Sequence, residues 1–519
     1  MELPFPFSFT TCILLLCSSL LIFYNLHFKR FHKGIPNLPP SPWKLPLIGH
    51  LHHLAGRLPH RCFQEFSTKY GPIMHFKLGG VTTIVVSSPD LAKEVLKVQD
   101  PTFTDKPEMI AAEILWYNSS LSFSQYGDYW RQMRKICMIE LLSVKNVRSF
   151  GLIRNDEVSR LAHSIVGDSG NRGTLVDLTE EVAKMTSSII CRAAFGRVCR
   201  DKEKMIEMLK DGIALLSGLD VCDLYPSSKM LKAMSWNRVR LLKMRRKLDP
   251  ILDGIIAEHR RNRAEKLDSS GNIGNGEFGN EDLIDVLIRH MESGELEFPI
   301  TDDNIKAMIY DIFAAGTETA STTINWIMAE LMRHPNVMAK AQSEIRQTLK
   351  ENTTFGETEV QKLKYLKLVI KEGLRLHPPV PLIPRVCRND TEIKGYFIPA
   401  RSRVPVNSWA IGRDPRIWPD PESFIPERFE DMNHSSIDFN GNHAEYIPFG
   451  AGRRMCPGMN FGLASVELPL AHLLYHFEWK LPHGMSPQDL DMVERLALAA
   501  ARRTNLKLIA VPYDFSMDK

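Results

Sequence analysis

Residues Tyr446 to Gly458, Tyr-Ile-Pro-Phe-Gly-Ala-Gly-Arg-Arg-Met-Cys-Pro-Gly, constrain the chain more than any other stretch. They present one sulfur in a glycine-rich turn directly before an apolar helical segment. Gly450 and Gly452 admit backbone turns closed to residues with a Cβ, so amide groups can approach a large flat ligand and point at the sulfur. Cys456 precedes the helical pattern of Asn460 to His472, whose free N–H groups and positive end favour a thiolate over a thiol. Arg454 adds a fixed cation two residues away. A buried structural cysteine is the competing reading of this loop.

The other cysteines do not make a framework. Nine are present (Cys12, Cys17, Cys62, Cys137, Cys191, Cys199, Cys222, Cys387 and Cys456), odd in number and without a C-x-x-C pair, which argues against disulfides or zinc and for a reducing compartment. Four N-x-S/T sequons, at Asn118, Asn352, Asn389 and Asn433, are therefore read as unused. A net charge of +4, from 65 basic and 61 acidic side chains, is too small to point to nucleic acid. The chain has 519 residues and no long polar linker, so length alone does not divide it. Phe9 to Phe28 is apolar and long enough to cross a hydrocarbon core of roughly 30 Å as a helix. Lys29, Arg30 and Lys33 follow it, which places the N-terminus in the lumen and the body in the cytosol. The prolines at 36, 39, 40, 42 and 46 then forbid a helix and favour a stiff, extended hinge.

Further along, Tyr70 to Gly80 and Thr82 to Ser88 read as a hairpin around Gly79-Gly80, and Pro89 to Val98 returns to helical spacing. Trp130 and Arg134 share one face of a helical segment. Leu175 to Arg263 is mostly helical, and Asp268 to Gly279 reads as a Gly/Ser/Asn surface loop. Thr301 caps the longest helix, which runs to Met332 and carries Ala314-Ala-Gly-Thr-Glu-Thr319 at its middle. Gly316 costs about 1 kcal/mol relative to Ala there, so something should need the space it leaves. Glu372 and Arg375, three apart, are an ordinary helical ion pair when taken alone.

Together these segments resemble the cytochrome P450 superfamily. Phe449, Gly452, Arg454, Cys456 and Gly458 match every named position of its haem loop, Phe-x-x-Gly-x-Arg-x-Cys-x-Gly. The resemblance covers the chain from the anchor to about Pro512. Runs such as Trp130 to Lys135, Ser187 to Gly196 and Pro448 to Arg454 look like plant microsomal terpenoid hydroxylases of the mint-family kind. It implies a mainly α fold with small β-sheets, one large unit behind a single N-terminal transmembrane helix. The implied division is a lumenal tip and anchor at 1–30, a basic, proline-rich hinge at 31–49 and a monooxygenase domain at 50–519, held in the endoplasmic reticulum membrane with the domain cytosolic.

The same resemblance implies haem b with Cys456 as the iron ligand. Phe449 and Gly452 shape the loop, and Trp130, Arg134 and Arg454 donate to the propionates. Glu318 and Thr319 guide protons, Thr319 helping to distort the helix into a groove for O2 and water. Glu372, Arg375 and Arg428 form a buried structural triad. Electrons come from NADPH through a separate cytochrome P450 reductase, an acidic partner expected to dock at Arg131 and Lys135. A hydrophobic substrate would face residues 105–125, Asp311 to Thr319, Val380 to Ile383 and Ala497 to Ala499. The last of these stand where related plant hydroxylases often read Gly-Leu-Thr, which suggests an olefinic or lightly oxygenated substrate. Oxidation of a flavonoid or alkaloid, a reductase-independent haem-thiolate isomerase or dehydratase, and a non-catalytic membrane haem protein are the alternatives. The intact Thr319 and Cys loop argue against the isomerase or dehydratase, and a non-catalytic haem protein would keep Cys456 but need no Glu318-Thr319 pair.

Overall fold

The structure is a computed structural model that describes residues 37–166, 173–216, 218–268, 281–350, 355–431 and 434–515, with Ser18 alone before them. The apolar stretch Phe9 to Phe28 and the Gly/Ser/Asn loop from residue 269 onward lie outside the described residues. Among those described, no helix is long and apolar enough to cross a membrane. The helices that matter for the site are α1 (Asp128–Glu140), α2 (Leu178–Phe195), α3 (Trp236–Asp268), α4 (Asp302–Arg333), α5 (Lys364–Leu376) and α6 (Met459–His476). The strands are β1 (Ile73–Leu78), β2 (Val81–Val86), β3 (Thr174–Asp177), β4 (Leu382–Ile383), β5 (Thr391–Ile393), β6 (Tyr396–Ile398), β7 (Val406–Asn407), β8 (Phe477–Lys480) and β9 (Lys507–Pro512).

Helix α4 is the axis of the main core. The Thr301 side chain accepts from the Asn304 N–H while Asn304 bonds back, a reciprocal cap that fixes where the helix begins. Apolar residues from Ile305 to Met332 are buried on several sides, so α2, α3, α5 and α6 can all pack around it. Gly316 makes one of these crossings possible. A Cβ there would stand 2.9 Å from Ile190 of α2, so the space it leaves is filled by a neighbouring helix. The helix runs unbroken through this point. The expected distortion is therefore not seen, although the Thr319 hydroxyl does donate to the Ala315 carbonyl at 2.7 Å.

The sheets are small and peripheral. Strands β1 and β2 form the expected hairpin, in register from Ile73 opposite Val86 to Leu78 opposite Val81, and extend into the order β1-β2-β7-β4. A second sheet has the order β3-β9-β8, and β5 pairs with β6. The helix predicted after the hairpin is present at Pro89–Lys93 and continues as one π-type turn, Glu94–Val98. The proline-rich segment is extended from residue 37 to 44 and is tied to the body, since Pro40 accepts from the His75 N–H at 2.8 Å and Asn37 from Phe397 at 2.8 Å.

Glu372, Arg375 and Arg428 meet in the core beneath the Cys loop. Arg375 clasps the Glu372 carboxylate through Nε and Nη2, at 2.7 and 2.8 Å, and Arg428 Nε reaches Glu372 Oε1 at 2.9 Å. The spare guanidinium donors are taken by the carbonyls of Gly412, Pro421 and Ser423 for Arg375, and of Pro419 and Asp420 for Arg428. Their bonds staple the segment 412–428, which has little regular structure, onto α5. Losing one member of such a network typically costs about 3–5 kcal/mol, because the others stay buried and unpaired. Glu372→Gln is expected to lower unfolding stability by that order in a urea titration, and a wild-type midpoint would show that the triad does not hold this segment.

Candidate haem-thiolate site

The Cys loop is built on two close backbone approaches. Gly452 has φ of 72°, and a Cβ there would lie 2.0 Å from the Leu96 carbonyl oxygen, so only glycine fits. Gly450 also has a positive φ, and the Cys456 N–H then closes the turn onto the Phe449 carbonyl at 2.9 Å. The Phe449 ring packs edge-on against Phe439, 5.6 Å between centroids, and braces the loop from beneath. Helix α6 starts at Met459, three residues past the sulfur.

Cys456 has accessible surface, yet the protein around it pushes its thiol above the ordinary value. The Gly458 amide and the Arg134 guanidinium oppose that shift without overcoming it. Burial thus works against the thiolate expected from the sequence, and coordination by a metal cation would supply it, since it ionises a thiol outright. The expected cation is corrected. Arg134 is the one that acts on the sulfur, while Arg454 turns away and donates to the carbonyls of Thr104 at 2.9 Å and Ser124 at 2.6 Å.

Trp130, Arg134 and Arg454 do come together. The two guanidiniums lie over the Trp130 ring, Arg454 at 4.2 Å and Arg134 at 5.3 Å. The indole N–H donates to the Leu121 carbonyl at 2.9 Å, and Arg134 Nη2 to the Met455 carbonyl at 3.0 Å. A propionate contact by Trp130 would require it to exchange that partner.

A residue that sequence reasoning missed completes the group. Arg385 is 1% exposed, and burial lowers its pKa to about 10, with Asp100 opposing. Arg454 is lowered to about 9 by burial first and then by the Arg385 charge. Arg385 Nε and Arg454 Nη1 are buried with no partner among the described residues. Lys106 adds a further cation whose pKa falls well below the ordinary value through burial, then through Arg385 and Arg454. Crowded buried cations with unpaired donors fit a dianionic ligand. The only sequence signal for Arg385 was a lone arginine closing the run His377-Pro-Pro-Val-Pro-Leu-Ile-Pro-Arg.

Helix α4 supplies the opposite wall. Ala315 is exposed although Phe313, Ala314, Thr317 and Glu318 beside it are buried, so it looks into internal space. Thr319 is one turn further along the same stripe. Glu318 is buried against Arg495, 3.1 Å from its Nη2, and burial raises its pKa while Arg495 and Lys210 hold it back. Two pairs of the four segments expected to face a substrate are brought together. Asp311 bonds Ser122, and the Ala500 N–H, just after Ala497-Leu498-Ala499, reaches the Pro379 carbonyl at 2.9 Å. On the outside, a shallow concavity of about 470 Å³ is lined by Tyr126, Trp130, Arg131, Arg134, Lys135 and Arg453. A groove of about 550 Å³ around Tyr70, Pro89 and Tyr396 contains none of these site residues.

The sequence pattern of the family described as Cytochrome P450 matches residues 39–507. The chain belongs to that family. It is 52% identical to premnaspirodiene oxygenase of Hyoscyamus muticus over 96% of this chain and 97% of that protein. It is 50% identical to 5-epiaristolochene 1,3-dihydroxylase of Nicotiana tabacum, over 96% and 97%. It is also 52% identical to cytochrome P450 71D13 of Mentha piperita, over 94% and 95%. As a cytochrome P450 the chain is a monooxygenase whose cofactor is haem iron. The mainly helical fold and the donor set around Cys456 fit that group: an accessible lone sulfur and buried cations with unpaired donors for two carboxylates. Arg385→Leu is expected to weaken retention of haem several-fold, read as loss of Soret absorbance on gel filtration, with an unchanged far-ultraviolet circular dichroism spectrum. Full retention would remove Arg385 from the cradle.

Proposed function

We propose that this monooxygenase hydroxylates an olefinic or lightly oxygenated terpenoid, with electrons from NADPH delivered by a separate reductase. The substrate class rests on the small, apolar side chain of Ala315, which is left exposed in the middle of α4, and on the apolar turn Ala497 to Ala499 expected to face the substrate. An unpaired substrate hydroxyl in such a lining costs about 1–3 kcal/mol, so a polyphenol is disfavoured. The similarity to premnaspirodiene oxygenase and 5-epiaristolochene 1,3-dihydroxylase supports the same reading.

When bound through Cys456, haem supplies oxygen activation, the thiolate pushing electron density that favours O–O cleavage. The chain does the rest. Arg134, Arg385 and Arg454 orient the propionates, with Trp130 as the surface on which two of those guanidiniums stack. Glu318, held near Arg495, takes protons from the outer side and passes them toward Thr319. The Thr319 hydroxyl donates its own proton to the Ala315 carbonyl, so its Oγ1 lone pairs are left as the acceptor that would hold a proton-carrying water in the oxygen groove. Apolar walls exclude other water from the hollow. Thr319→Ala should keep haem and substrate binding but lower product per NADPH, with peroxide making up the difference. Wild-type coupling would reduce Thr319 to a helix residue.

The reductase reading rests on the concavity beside α1, where Arg131, Lys135 and Arg453 are exposed over Arg134 and hence over the Cys456 side. Charge reversal at Lys135 should slow reduction at low salt and matter less as salt rises. Indifference to both would move the docking surface elsewhere.

The membrane reading rests on Phe9 to Phe28 and the basic flank after it, with the body cytosolic at the endoplasmic reticulum. Trp43 and Leu47, 62% and 87% exposed, follow that flank closely, and the Leu47 carbonyl accepts from Tyr225. Microsomes carrying the protein and a reductase, offered mono-, sesqui- and diterpenes beside flavonoids, test the whole proposal. A hydroxylated terpene formed only with NADPH and reductase is expected; flavonoid products alone would overturn the substrate class.

A further inference from the structure

A buried carboxylate on the substrate side of α4 has no part in the roles described so far. Asp311, Ala315 and Thr319 are each four residues apart and form one stripe along the helix. Asp311 is 3% exposed, and burial pushes its carboxyl up to about 6 against the hydrogen bonds it accepts. Such a group is costly in apolar surroundings unless its oxygens are occupied.

Its partners are backbone groups of the opposing wall. The Asp311 Oδ2 accepts from the Ser122 N–H at 3.0 Å, and the Ser122 hydroxyl and the Leu121 amide also donate to the carboxylate. Lys106, Tyr129 and Cys137 are the other titratable groups its charge reaches. The same short segment is tied from the cofactor side. Ser119 accepts from the Tyr129 hydroxyl at 2.8 Å, Leu121 from the Trp130 indole at 2.9 Å and Ser124 from Arg454 at 2.6 Å. Residues 119–124 thus bridge from α1 and the Cys loop to α4, and Asp311 is the side chain that fastens their α4 edge. Apolar packing backs the same wall. The Phe123 ring meets Trp116 edge-on at 5.4 Å, and Trp116 leans on Tyr310 of α4 at 4.8 Å.

We propose that Asp311 is a positioning residue for substrate: by gripping Leu121 and Ser122 it fixes the wall 119–124 against α4, and so sets which carbon of a hydrophobic substrate faces the Thr319 end of the stripe. The proposal rests on the monooxygenase reading above, with its apolar substrate. Without Asp311 the segment keeps its ties to Tyr129, Trp130 and Arg454, so the cofactor side stays built while the α4 edge is released. A residue that only held the fold would disturb both sides together.

The haem-loaded protein and its Asp311→Asn variant decide the matter, because Asn keeps the shape and one acceptor oxygen but loses the charge. Hydrogen exchange over residues 119–124 should become about tenfold faster in the variant, the size expected when a hydrogen bond to a charged group is lost. Protection over Trp130 to Cys137 and the reduced CO spectrum should not change. The dissociation constant of 4-phenylimidazole, followed by its Soret shift, should rise several-fold, and the regioisomer ratio of any terpene product should broaden. Asp311→Ala should go further in the same direction. Wild-type exchange over 119–124 with wild-type 4-phenylimidazole affinity would overturn the proposal. So would loss of the CO band together with protection, which would make Asp311 a general fold residue. Failure of the wild-type protein to oxidise any terpene would instead strike the substrate class and leave the exchange result readable.

Discussion

Positive charge is buried around the Cys456 loop in excess of the carboxylates near it, and much of the site's construction answers to that. Burial lowers the proton affinity of Arg385, Arg454 and Lys106, the Arg385 charge lowers Arg454 further, and both guanidiniums lower Lys106; two of their N–H donors have no partner among the described residues. Removing such groups from water costs several kcal/mol per ion, so the arrangement is favourable only when an anionic ligand completes it. On the proposed reading the haem propionates are that ligand. Cofactor binding would then be coupled to the stability of the loop segment 104–126, since Arg454 also holds the carbonyls of Thr104 and Ser124.

The same cations explain how the two faces of the hollow communicate. Arg454 and Trp130 pull the segment 119–124 toward the cofactor, and Asp311 pulls it toward α4. Beneath them, the Glu372 triad fixes the segment that leads into the Cys loop. A base fixed from below and a wall fastened from both faces suit an enzyme that holds one cofactor and orients a hydrophobic substrate beside it.

Much of this was legible in the sequence, for reasons that differ by residue. Cys456, Gly452 and Phe449 stand at fixed spacing within one turn, so local backbone geometry specifies them. The Glu372, Arg375 and Arg428 triad was legible only through the family resemblance, since the three-residue spacing alone reads as an ordinary helical ion pair and Arg428 lies far downstream. Arg385 was not, because its meaning comes from tertiary neighbours, Arg454 and Asp100, far away in the chain. Gly316 was read as leaving room for a ligand groove, whereas Ile190 of α2 occupies that side; a glycine in a helix does not say from which direction its neighbour comes. Arg454 was expected to act on the sulfur because it is two residues away, but the turn at Gly452 directs it to Thr104 and Ser124, and Arg134 from α1 takes its place.

The central claim is that Cys456 is the sulfur on which the molecule's chemistry depends. The reduced, CO-bound absorption spectrum of the purified protein beside Cys456→Ser tests it most directly, since a hydroxyl is a poor substitute for a soft sulfur donor. The account predicts a red-shifted Soret band typical of thiolate ligation in the wild type and its absence in the variant. The same band in both proteins would contradict it.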